Sequence, residues 1–182
     1  SQLAREPRAT MLRGRMAEWA HIAGRDPSPW LRPPARETIL PEERRTGIPA
    51  SRTLRDVTGQ FVEMGDFRDR VLVVDFAAVW HPESRAELLA RRDYARMADR
   101  SRVAFLTISL DKSAANLRDF ARREEIDWTL VCDERGYYSP YFEMFGTSEP
   151  GDTLILDRRG RIAARGVDQA AIEQIVPLLL LE

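Results

Sequence analysis

Four side chains within the stretch VVDFAAVWHPESRAE, residues 73–87, carry groups able to move a proton or attack a bond. They are the carboxyl of Asp75, the imidazole of His81, the hydroxyl of Ser84 and the carboxyl of Glu87. An acid, an imidazole and a hydroxyl are the components of a nucleophilic triad. An imidazole with a carboxylate suffices for general acid–base work. Sulfur chemistry is not available in this stretch, because the one cysteine of the chain is Cys132. A single cysteine excludes an intramolecular disulfide and a cysteine zinc cluster. With His21 and His81 the only histidines, no metal site is expected, and the residues carry no cofactor signature.

The elements that must position these groups are legible around them. VLVVDF (71–76) is a short, β-branched apolar run, as a strand covered on both faces requires. Pro82 suits the first position of a helix reaching about Asp99, with His81 as its cap. Upstream, RTLRDVTGQFVEMGDF reads as a hairpin turning at Thr58-Gly59. Downstream come a second buried strand, VAFLTISL (103–110), and a helix, SAANLRDFARREE (113–125). WTLVC reads as a strand ending at Cys132, where a solitary thiol is expected to be buried and inert. SPYFEMF makes a short helix begun by Ser139 and Pro140, TLILD and RIAAR a hairpin, and QAAIEQIVPLLLL a closing helix kinked at Pro177. Crossovers first and an antiparallel edge last describe a three-layer α/β/α order around a mixed sheet of four or five strands.

Residues 1–48 differ in texture from the rest. A helical pattern over 10–23 is followed by Pro27, Pro29, Pro33, Pro34, Pro41 and Pro49, too many for a continuous helix or a central strand. We expect residues 24–48 to wrap the domain that residues 49–182 form, because Trp30, Leu31 and Ile39 offer apolar anchors. A net charge of −1 provides no field to recruit nucleic acid or an anionic membrane. Its positive side is almost wholly arginine, with Lys112 the only lysine. No run has the length of a membrane span, and a cytoplasmic setting is the default expectation, an extracytoplasmic one following if a leader has been removed.

Taken together, LRDVTGQFVEMGDFRDRVLVVDFAAVWHPESRAE, FLTISLD, WTLVCDERG and EPGDTLILDRRGRI resemble thioredoxin-like proteins of the TlpA/ResA and AhpC/TSA (redoxin) group. The resemblance covers residues 49–182 and implies the thioredoxin-like fold with an N-terminal hairpin. It implies a redox site at the turn W-C-x-x-C-R-x-E, where this chain reads Trp80-His81-Pro82-Glu83-Ser84-Arg85-Ala86-Glu87. Thiol–disulfide exchange requires an attacking thiolate and a partner sulfur, and both positions lack one.

By the same resemblance Asp75 is the buried acid beneath the second cysteine position, and Glu87 is the acid that moves protons beside the cysteines. Asp75 is therefore expected to be desolvated, hydrogen-bonded to Ser84 and raised in pKa. That order, acid–serine–histidine, places serine in the middle and disfavours a triad. The helix terminus opposes protonation of His81, so a neutral capping imidazole is expected. Trp80, Pro82, Glu83, Glu149 and Pro150, the last matching the family's cis-proline, would line the former active-site groove. The expectation is a redox-inactive protein that binds an unknown protein partner or small molecule there, with catalysis left open. The alternatives are a sulfur-independent enzyme using His81 with Asp75 or Glu87, and a thiol-dependent oxidoreductase or peroxidase-like protein acting through Cys132.

Overall fold

The computed structural model describes residues 39–147 and 150–182. The strand read at VLVVDF is β3 (Val71–Ala77), and all seven of its residues are buried. It lies at the centre of a five-stranded sheet of order β5-β4-β3-β6-β7, with β4 at Val103–Ser109, β5 at Thr129–Val131, β6 at Thr153–Leu156 and β7 at Ile162–Arg165. β3, β4 and β5 run parallel, while β6 and β7 are antiparallel additions. Asp75 is flanked by Thr107 on β4 and Thr153 on β6. The hairpin of β1 (Thr53–Arg55) and β2 (Phe61–Glu63) precedes this sheet. Its turn is held by the Asp56 carboxylate, which accepts from the backbone of Thr58 and Gln60.

Alternation along β3 divides the core into two layers. Val71, Val73 and Ala77 face α1 (Pro82–Met97), α2 (Ala114–Arg123) and α4 (Gln169–Leu179). Leu72, Val74 and Phe76 face the hairpin and the short helix α3 (Pro140–Phe145), where Phe142 and Phe145 pack on Phe76 with ring centroids 5.2 and 5.6 Å away. The side chains of His81, Ser113, Ser139 and Asp168 cap α1, α2, α3 and α4, each accepting from a backbone amide of the first turn. The parallel strands need crossovers, and a right-handed series leaving β3 in one direction puts α1 and α2 on one face. The other outer layer is accordingly thinner, made by the hairpin and α3. The closing helix α4 runs through Pro177 to Leu179.

Residues 39–48 lie against this domain. The Leu40 amide donates to Ala163 at 2.7 Å, and Ile48 is buried. Arg45 is the main anchor, its guanidinium donating to Asp157 at 3.1 Å and to Glu182 at 2.5 and 2.8 Å. The expected N-terminal helix, and the arm up to residue 38, fall outside the described residues.

The candidate site at the end of the central strand

The site begins where β3 ends and α1 starts. His81 caps α1, its Nδ1 accepting from the Ser84 amide at 3.4 Å. The imidazole nitrogen thereby satisfies one of the backbone donors that the first turn of a helix leaves without a partner. Its Nε2 lies 3.4 Å from the exposed Glu83 carboxylate. Trp80 stands edge-on to the His81 ring at 5.8 Å and is 55% exposed.

Asp75 and Ser84 are both buried, but they are not partners. The Ser84 hydroxyl accepts from the Ala78 amide at 3.3 Å. Asp75 is gripped by Arg91, whose Nε and Nη2 reach the two carboxylate oxygens at 2.9 Å each. Thr153 donates to the same carboxylate at 2.8 Å, and Gln169 accepts the remaining arm of Arg91. The expected Asp75–Ser84 hydrogen bond is thus corrected. A fork of guanidinium donors matches a carboxylate better than one hydroxyl does, and it balances the charge of the acid. Nor do Asp75, His81 and Ser84 form a triad: the acid, the imidazole nitrogens and the hydroxyl each engage other groups.

Arg91 escaped the sequence reading. Its signal was positional, since Ser84, Leu88, Arg91 and Ala95 are the buried residues of α1 and recur at helical spacing. A charged residue in that stripe requires a buried partner, and Asp75 sits directly beneath it.

Glu87 behaves differently. Much of the residue is open to solvent, yet its carboxyl end faces the Pro150 loop, where a Cβ on Gly151 would lie 3.5 Å from Oε2. Loss of water there pushes its pKa up to about 7, and the negative charges of Asp75, Glu83 and Asp152 push the same way against Arg91. Asp152, bonded to the Thr147 hydroxyl, is also raised, chiefly by burial. Pro82 and Glu83 are exposed on the first turn of α1, and Pro150 is half-buried. Glu149 lies outside the described residues, and with it the peptide bond that would make Pro150 cis or trans.

Cys132 follows β5 and is buried, its thiol donating to the Asp111 carbonyl at 3.2 Å. Burial raises its pKa, which opposes formation of the nucleophilic thiolate. Among the described residues no group of three or more His, Cys, Asp or Glu side chains is arranged to hold a metal ion.

An open groove of about 890 Å³ lies between the β3–α1 turn, the β4–α2 loop and the segment around Tyr137. Trp80, Arg85, Lys112, Asn116 and Tyr137 reach into it. Among the described residues, the groove expected from sequence shares only Trp80 with this lining.

Residues 48–165 match the model of the AhpC/TSA family. The chain belongs to that family. Among its relatives, the chloroplastic peroxiredoxin Q of Gentiana triflora is 26% identical over 133 residues, 70% of this chain and 61% of that protein. The chloroplastic peroxiredoxin Q of Triticum aestivum is 25% identical over 74% of this chain and 64% of its own. The chain thus spans about three fifths of the curated relatives it matches. A thiol-disulfide oxidoreductase from Bacteroides fragilis superimposes with a TM-score of 0.63 at 25% identity, covering 74% of this chain and 99% of that one. A secreted thiol-disulfide isomerase from Corynebacterium glutamicum gives 0.62 at 18% identity over 79% and 91%. The thioredoxin-like fold is therefore established, and no described helix of this family member is long and apolar enough to cross a membrane.

Proposed function

We propose that this AhpC/TSA family member is redox-inactive and binds a partner or small ligand through the face around Trp80 and His81. One arrangement carries the reading. His81 and Ser84 occupy the two sulfur positions, and the acid beneath them is fixed in a buried ion pair with Arg91. Exchange with a disulfide needs a thiolate nucleophile, and peroxide reduction in this family needs a cysteine at the same turn. The buried thiol of Cys132, with its raised pKa, is poorly placed to substitute. Insulin reduction and thioredoxin-coupled peroxide consumption test the proposal. Background rates are expected in both assays. Robust turnover that survives Cys132→Ser would overturn the redox-inactive reading, and turnover that vanishes with that substitution would transfer the function to Cys132.

A second reading, a sulfur-independent enzyme, is favoured by Glu87, which titrates near neutrality beside the Pro150 loop. A carboxyl poised near the working pH is suited to general acid–base transfer. Asp75 is not the acid of such a mechanism, because both its oxygens are held by Arg91. Turnover of a candidate substrate with a pH profile abolished by Glu87→Gln would establish this reading over simple binding.

A further inference from the structure

The groove beside Trp80 combines three features that none of its residues explains singly. Its apolar floor includes Val79, Leu110 and Phe120. Two aromatic side chains stand at it, Trp80 at 55% and Tyr137 at 59% exposure, both large apolar surfaces left in water. Three cationic side chains converge on it from separate elements: Arg85 from the first turn of α1, Lys112 from the β4–α2 loop and Arg123 from the end of α2.

The acids of the groove are already engaged. Asp111 accepts from the Val79 amide at 3.0 Å and from the Ser109 hydroxyl at 2.5 Å. Asp119 is paired with Arg122 at 3.1 Å. Arg123 has Glu124 beside it at 3.1 Å, but among the described residues neither Arg85 nor Lys112 has an acidic partner. An amide and a hydroxyl leave the charge of Asp111 in place, but Arg85, Lys112 and Arg123 outnumber Asp111 and Asp119 by one, so the lining is net positive. A volume near 890 Å³ falls within the range of small-molecule sites.

We infer that this groove binds a small, flat organic anion, its ring system between Trp80 and Tyr137 and its carboxylate, sulfonate or phosphate group toward Lys112 and Arg85. Aromatic faces hold the apolar body, and the cations set the sign of charge accepted. The inference rests on the reading of this face as a binding surface, and supplies the ligand class and the groove in which it sits.

Two fluorescent probes of nearly identical shape separate charge from apolar fit: 8-anilinonaphthalene-1-sulfonate and its uncharged analogue N-phenyl-1-naphthylamine. The sulfonate is expected to bind the native chain at least tenfold more tightly than the neutral probe. Arg85→Ala with Lys112→Ala should remove that preference, and Trp80→Ala should weaken both probes, with circular dichroism unchanged. Bound sulfonate should also slow acylation of Lys112, the only lysine in the chain and therefore a unique label on its side chains. Equal binding of the two probes, still dependent on Trp80, would overturn the anion inference and leave the binding face intact. Binding of neither probe, or binding indifferent to Trp80, Arg85 and Lys112, would overturn the inference and remove the apolar-binding basis for the face as well.

Discussion

The Arg91 guanidinium meets the Asp75 carboxylate two-on-two, Nε and Nη2 each 2.9 Å from a different oxygen, with both side chains buried. With Thr153 donating to the same carboxylate, the pair fixes the acid of the central strand against the buried stripe of α1.

Removing one partner leaves the other charge buried. Arg91→Leu is expected to destabilise the fold by about 3–5 kcal/mol, the usual cost of an orphaned buried ion. Asp75→Val together with Arg91→Leu should recover most of that loss, because apolar groups of suitable size can replace a buried pair. Urea denaturation of the two single variants and the double variant measures the coupling. Additive losses would mean that the pair does not act as a unit.

Glu87 gives the stability profile a slope opposite to that of a salt-bridged carboxylate. Its folded pKa of about 7 lies above the unfolded value of 4.5, so between those values the folded state holds more protons. Stability from this group is full below about pH 4.5, falls as pH rises toward 7, and then levels off. Glu87→Gln should flatten this dependence, gaining on the wild type between pH 5 and pH 8. Denaturation curves at the two pH values decide it, and parallel shifts in the two proteins would contradict the assignment.

Arg45 clamps residues 39–48 to the hairpin of β6 and β7 through Asp157 and to the chain end through Glu182. Arg45→Ala should cost about 2 kcal/mol, in the range for hydrogen bonds to charged groups. The loss is limited because Arg161 still holds Asp157, at 2.8 Å. Hydrogen exchange should accelerate at the Leu40 and Ile48 amides, which donate to Ala163 and Gly160. Unchanged protection there would show that the apolar contacts of Ile39 and Ile48 suffice.

Cys132 should resist thiol reagents in the native state. Its sulfur is buried and donates to Asp111, and burial raises its pKa. Ellman's reagent should react far more slowly with folded protein than with protein in guanidinium. Rapid labelling without denaturant would reopen the thiol-dependent reading.

Much of this architecture was legible because it is encoded locally. The apolar run of β3, the His81-Pro82 start of α1, the Thr58-Gly59 turn and the Ser139-Pro140 start of α3 each depend on a few neighbouring residues. What escaped depends on tertiary contact. Asp75 read as a partner for Ser84 because the motif places them together, whereas its actual partner is identified only by the buried stripe of α1. The groove escaped for a related reason. Trp80, Lys112 and Tyr137 belong to three separate loops, and no spacing in the sequence announces that they face a common space.

The ion pair also bears on what the acid of the central strand can become. Any role for Asp75 other than a structural one requires freeing it from Arg91. Releasing it by changing Arg91 alone strands a buried carboxylate, and changing Asp75 alone strands a buried guanidinium. Each single step costs a sizeable share of the stability margin of a small domain. Positions 75 and 91 are thus coupled through the core, and a change at one is expected to be tolerated only together with a change at the other.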